Sequence, residues 1–257
     1  MAPRKWAEMT WEEVRDLDRP RAVALLPVGA IEAHGPHLPL GTDVVIAEAM
    51  AEAAAARLEA AGRIPLLLPS ISYTAAPFGG GFPGTLSVSG PAVTTLILDL
   101  ARDLTRQKIG TLAIANAHLD PAHLEALESA RETAKGLLPI VCPDLTKKPW
   151  ALRLTKEFQS GACHAGSYEG SVVMARHPEL VREEIRTALA PNPASLSRAI
   201  REGARTFEDA GGARAYFGYP ADANSEEGKQ TIATLGEILA EAVLGIESSA
   251  HPGEVRS

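Results

Sequence analysis

The chain has 257 residues, of which 46% are apolar, 22% charged and only 5% aromatic, and its formal net charge is −7. That length and apolar share support one large globular domain with a sizeable core. The acidic balance and scarce aromatics exclude a nucleic-acid footprint or a patch for anionic membranes.

No apolar run approaches the roughly 20 residues of a spanning helix. The opening MAPRKWAEMTWEEVRDLDRP is too charged for a signal peptide, and Cys142 and Cys163 make no CxxC pair. A reduced, cytoplasmic protein with neither a nucleic-acid nor a membrane partner is expected.

In chain order, AVALLPV (22–28) predicts a buried strand, because a continuous apolar run suits a sheet covered on both faces. Residues 44–62 are Ala-rich with apolar side chains at helical spacing, and they stop at Gly62. IPLLLPS (64–70) predicts the next strand. Residues 91–108 predict a helix that opens on Pro91 and ends basic, as the helix dipole favours. GTLAIAN (110–116) is a third strand, PAHLEALESARETAK (121–135) a third helix and LLPIVCP (137–143) a fourth strand. This alternation, without repeats or a linker over residues 1–246, predicts a single α/β domain with a mostly parallel sheet between helices. ESSAHPGEVRS (247–257) is expected to be a disordered tail.

In open α/β sheets, ligands gather beyond the carboxyl ends of the strands. Three polar clusters fall there: Glu32, His34, His37 and Asp43 after the first strand; Asn116, His118, Asp120 and His123 after the third; and His164 with Glu169 in CHAGSYEGS (163–171). Mixed imidazole and carboxylate donors suit Zn, Mn or Fe rather than Ca or Mg, and a carboxylate can bridge two such ions in a hydrolytic site. Each histidine can equally be a hydrogen-bonded loop residue. His37, between Pro36 and Pro39, reads as structural; His123 as a capping or packing residue; His177 and His251 as surface residues.

VGAIEAHGPHLPLGTD (28–43) resembles the signature of the creatininase (creatinine amidohydrolase) family, Glu-x-His-Gly-x-His-Leu-Pro-x-x-x-Asp. The similarity continues at FPGTLSVS (82–89), NAHLDP (116–121), HAGSYEGS (164–171) and GYPADANSEEG (218–228), so it covers most of the chain. It implies a three-layer α/β/α sandwich, a binuclear centre of two divalent transition-metal ions and a homohexamer. It further implies that Glu32 and His34 each bind one metal, that Asp43 bridges both, that His118 adds a ligand and that His164 does acid–base work.

The sequence departs from the family pattern at Leu119-Asp120-Pro121, Ser167 and Gly170. Creatininase proper carries a Tyr at the position of Leu119 and a Trp at that of Ser160, so the aromatic enclosure of a small flat ring is missing. Trp150 reads as either a lid residue or a packed loop tryptophan. The expected function is metal-dependent hydrolysis of a non-peptide amide, cyclic amide or formamide. The alternatives are a peptidase acting on a short modified peptide and a non-catalytic metal- or small-molecule-binding protein.

The fifth ligand has two candidates. Asp120 lies two residues beyond His118, where an extended backbone turns both side chains to one face; on this reading it ligates and the catalytic pair is His164 with Glu169. The other reading has Pro121 swing Asp120 away, with Glu169 ligating instead.

Overall fold

The computed structural model describes residues 3–250. Residues Ala22–Val28 form strand β2, buried at every position as a continuous apolar run requires. Preceding it are the two-residue strand β1 (Arg4–Lys5) and helix α1 (Trp11–Arg15), which Thr10 and Glu13 close with a reciprocal capping box. Then follow α2 (Thr42–Ala60), β3 (Ile64–Leu67), α3 (Gly90–Arg106), β4 (Thr111–Asn116), α4 (Pro121–Thr133) and β5 (Ile140–Val141). Shorter helices α5 (Lys156–Ser160), α6 (Ser167–Arg176), α7 (Glu183–Ala188) and α8 (Leu196–Arg201) lead to the long α9 (Ser225–Ala250).

The five strands form one parallel sheet in the order β1-β3-β2-β4-β5. Alternate residues go to opposite faces. Val23 and Leu25 of β2, with Ala113 and Ala115 of β4, pack under α2, α6 and α9, while Ala24, Leu26, Leu112 and Ile114 pack against α3 and α4. That is a three-layer α/β/α sandwich.

Its helices approach closely where side chains are smallest. A Cβ on Gly236 of α9 would lie 2.5 Å from Ala53 Cβ on α2, and one on Gly29 would lie 2.6 Å from Val44 N, so the end of β2 runs against the start of α2.

The chain leaves β2 for β3 on one side and reaches β4 on the other, which makes the β2–β4 pair the switch point of the sheet. Val28 and Asn116 stand side by side at its carboxyl end.

The strand expected over 137–143 shrinks to two residues, because Pro139 and Pro143 have no N–H to give to a ladder. The strand expected over 64–70 stops at Leu67, just before Leu68 and Pro69. Residues 247–250, expected in a disordered tail, continue α9; residues 251–257, with His251, lie outside the described residues. Among the described residues, no helix is long and apolar enough to cross a membrane.

Candidate metal centre

The loop leaving the switch point carries Glu32 and His34, and the first turn of α2 carries Asp43. His118 follows β4, while His164 and Glu169 come from the approach to α6 and its first turn. All six side chains are buried. A carboxylate in a helix's first turn faces unpaired backbone N–H groups and the positive end of the dipole, a placement that favours its ionised form.

Three groups of donors lie with their ligand atoms within 4.8 Å of one another: Glu32, Asp43 and His118; His34, Asp43 and Glu169; and Glu32, His34 and His164. Asp43 belongs to the first two through different oxygens. Its Oδ2 is 3.0 Å from His118 Nδ1, and its Oδ1 is 3.2 Å from His34 Nε2. Glu32 Oε1 is 3.1 Å from the same His118 nitrogen, and Glu169 Oε2 is 3.5 Å from His34 Nε2.

The distal nitrogens are committed to backbone carbonyls. His34 Nδ1 donates to Glu32 O at 3.1 Å and His118 Nε2 donates to Ala75 O at 2.9 Å. In the neutral imidazoles this leaves His34 Nε2 and His118 Nδ1 as bare lone pairs aimed at carboxylates, an arrangement that calls for a cation between them. Glu32 Oε2 and Asp43 Oδ2 are buried without a hydrogen-bond partner, which costs free energy unless something positive satisfies them. The residues therefore fit divalent ions.

Without an ion, the same carboxylates draw protons onto these imidazoles instead. Burial alone would lower the pKa of His34, but the carboxylates of Asp43, Glu169 and Glu32 outweigh it and push it up to about 10. His118 is driven upward in the same way by Glu32 and Asp43. Burial raises Glu169 to about 8, against the pull of His34. His164 goes the other way: burial, then the neighbouring positive His34, hold it well below the ordinary histidine value and therefore neutral. Its Nε2 donates to Ala33 O at 2.9 Å, and its ring lies between His34, at 4.4 Å, and Phe207, stacked at 4.2 Å. Nothing in the sequence around Phe207 marks it for that place; its link to His164 is made only by the fold.

Asp120 stands outside all three groups. It is the N-cap of α4: Oδ1 accepts from Ala122 N at 2.8 Å and Oδ2 from Phe78 N at 3.1 Å. Asn116 braces the same loop, giving its amide to His118 O and accepting from His118 N and His123 Nε2. His123 is thus a packed histidine beside His118, and His37 is buried edge-on to Tyr216. His177 pairs with Glu179 at the surface.

A cavity of about 250 Å³ opens onto Glu32, Asp43, His118, His164 and Glu169. Leu119 is in its wall, and Ser160 is not among its lining residues. Trp150 packs against the core under α9 and lines a separate groove, so it is a packed residue rather than a lid over the centre.

The family model for creatininase, creatinine amidohydrolase, matches residues 7–243. The mycofactocin precursor peptide peptidase of Mycobacterium tuberculosis (strain CDC 1551 / Oshkosh) is 31% identical over 224 residues, covering 82% of this chain and 80% of that protein. Creatinine amidohydrolase of Pseudomonas putida is 28% identical over 194 residues, covering 68% and 72%. A crystal structure of creatinine amidohydrolase superimposes with a TM-score of 0.71 at 25% identity, over 97% of this chain and 98% of that one. With the family model spanning nearly the whole sequence, the chain belongs to the creatininase family of hydrolases.

Proposed function

We propose that this protein is a binuclear metal-dependent amidohydrolase that cleaves the C–N bond of an amide. The observation that carries this reading is Asp43, whose two oxygens face two different imidazoles at 3.2 and 3.0 Å. One ion would be held by Glu32, Asp43 and His118, the other by His34, Asp43 and Glu169. Zn, Mn or Fe suits such mixed donors, and solved creatininases are named as Mn and Zn–Zn forms.

When bound, the ions supply polarisation of the amide carbonyl and a water acidified toward neutral pH. The remaining work belongs to the side chains. Glu32 O and Ala75 O fix the tautomers of His34 and His118, so that the correct nitrogens face the centre. Neutral His164, with Nε2–H tied to Ala33 O, keeps Nδ1 free to take a proton and deliver it to the leaving nitrogen. Asp120 shapes the cavity by tying the start of α4 to the backbone of Phe78.

Leu119 in the cavity wall favours an amide with an apolar body over a flat cationic ring, and creatinine is expected to be a poor substrate. A short peptide is a second reading. It is supported by Pro121, Leu124 and Thr146, which line both this cavity and a larger neighbouring groove and so allow an elongated substrate to continue outward. The mycobacterial relative's name, a precursor peptide peptidase, points the same way. A homohexamer and a cytoplasmic location complete the reading.

The test is hydrolysis of a panel of acyl amides and short peptides by Mn- or Zn-loaded protein. Activity should vanish with a chelator, return on adding metal, and exceed that on creatinine by at least about tenfold. Chelator-resistant hydrolysis, or none at all, would overturn the reading.

A further inference from the structure

We infer that the substrate's apolar body ends in an anionic group, and that Arg201 recognises it; this rests on the amidohydrolase reading above. Phe78, Leu119, Leu124, Leu196, Ile200 and Phe207 make most of the cavity wall apolar. Against them the lining carries four carboxylates, Glu32, Asp43, Asp120 and Glu169, and a single Lys or Arg side chain, Arg201. Glu32, Asp43 and Glu169 would face the two ions, and Asp120 is engaged as the cap of α4. Arg201 is then the one charged side chain of the lining left without a partner among the described residues.

Most other arginines described in contact with the fold are engaged: Arg186 with Glu183 and two carbonyls, Arg153 with Glu237 and Glu241, Arg176 with Glu52. The Arg201 side chain has no ion pair or hydrogen bond among the described residues, and it is exposed while lining the cavity. It closes α8, whose Leu196, Ser197 and Ile200 also line the cavity, so one short helix presents both the apolar wall and the cation. Arg198 sits on the same last turn but lines no part of the cavity, and it suffices for the helix dipole.

A guanidinium fork beside apolar walls pairs with carboxylate or phosphate through two parallel hydrogen bonds. Substrates of this kind are N-acyl amino acids, peptides with a free C-terminus, or phosphorylated amides. A neutral lactam ring leaves Arg201 unused.

The probes are linear hydroxamates with three to six methylenes that end in a carboxylate, a phosphonate or a neutral carboxamide. The hydroxamate would anchor each to the metals, and the series varies the reach toward Arg201. Calorimetric Kd values are measured on Mn-loaded protein. At the best chain length an anionic end should bind about tenfold tighter than the carboxamide, a modest factor because solvent screens an exposed pair. Arg201→Gln should abolish that advantage while changing carboxamide binding far less, and Arg201→Lys should restore part of it. Which anion gains more identifies the end group. Equal affinity of anionic and neutral probes at every length, or an advantage that survives Arg201→Gln, overturns the proposal. Acetohydroxamate separates the two failures: if it binds, only the role of Arg201 has failed; if neither it nor any longer probe binds, the metal-hydrolase reading falls and this proposal with it.

Discussion

Asp43 Oδ1 and Glu169 Oε2 face the same nitrogen, His34 Nε2, from 3.2 and 3.5 Å, each from the first turn of its own helix. Two helix starts therefore converge on one imidazole. Glu169 is steadied there by the N–H of Ala165, which donates to its Oε2 at 2.7 Å from a residue at φ +53°. A left-handed alanine is costly backbone, and it persists only where surrounding structure enforces it.

On the proposed reading Glu169, rather than Asp120, would complete the second ligand set. Glu169→Gln should lose one of two bound ions, whereas Asp120→Asn should keep both, and elemental analysis of the two purified variants measures the difference. Asp120→Asn would keep one acceptor, for Ala122 N, but would turn its amide donor toward Phe78 N–H, so stability should fall by about 1–3 kcal/mol without loss of metal. Loss of an ion from the Asp120 variant alone would reverse the assignment.

His164 sits among three donors within reach of one another, yet its neutral ring and its bond to Ala33 O suit proton transfer. His164→Asn should retain both ions and leave KM nearly unchanged while kcat falls by about 10²–10⁴-fold, the range for loss of a positioned acid–base group. Metal content together with steady-state kinetics on the best amide of the panel decides this. Loss of an ion in that variant would make His164 a ligand instead.

The crossing of α9 over α2 depends on Gly236, where a Cβ would meet Ala53 Cβ at 2.5 Å and Ala53 C at 2.8 Å. Because that neighbour is partly backbone, it cannot simply rotate away. Gly236→Val should destabilise the fold by about 1–3 kcal/mol, lowering Tm by several degrees in a thermal scan. An unchanged Tm would mean that the two helices slide apart at little cost.

Where the sequence was legible, one strong local signal decided the matter. β2 and the centre of β4, Leu112–Ala115, are apolar runs, and helices cover both faces of the sheet there. The dense motif over 31–43 placed Glu32, His34 and Asp43 in one loop and one helix start, and the structure brings them together with His118, His164 and Glu169. Helix α6 was hidden by the glycines of CHAGSYEGS, and α9 by Gly228 and Gly236, each of which weakens helical propensity. A signal for α9 was nonetheless present: Asn224 accepts from Glu227 N at 2.9 Å, as an N-cap residue does.

Asp120 followed by Pro121 carried the same kind of signal. Asp at the cap and Pro at the first helical position is a helix start, and it leaves Asp120 in the cavity wall but outside the three donor groups. Phe207 and Arg201 had no local signature. Their places against His164 and in the cavity wall depend on segments more than thirty residues away in the chain.

The central claim is that Asp43 holds two ions at once, one on each oxygen. Elemental analysis of Asp43→Ala beside the unaltered protein, both loaded with Mn and desalted, tests it most directly, with circular dichroism to verify the fold. The unaltered protein should hold about two ions per chain, as a two-metal hydrolytic site requires, and the variant almost none. Two ions retained in a folded Asp43→Ala protein, or one ion per chain in the unaltered protein, would contradict it.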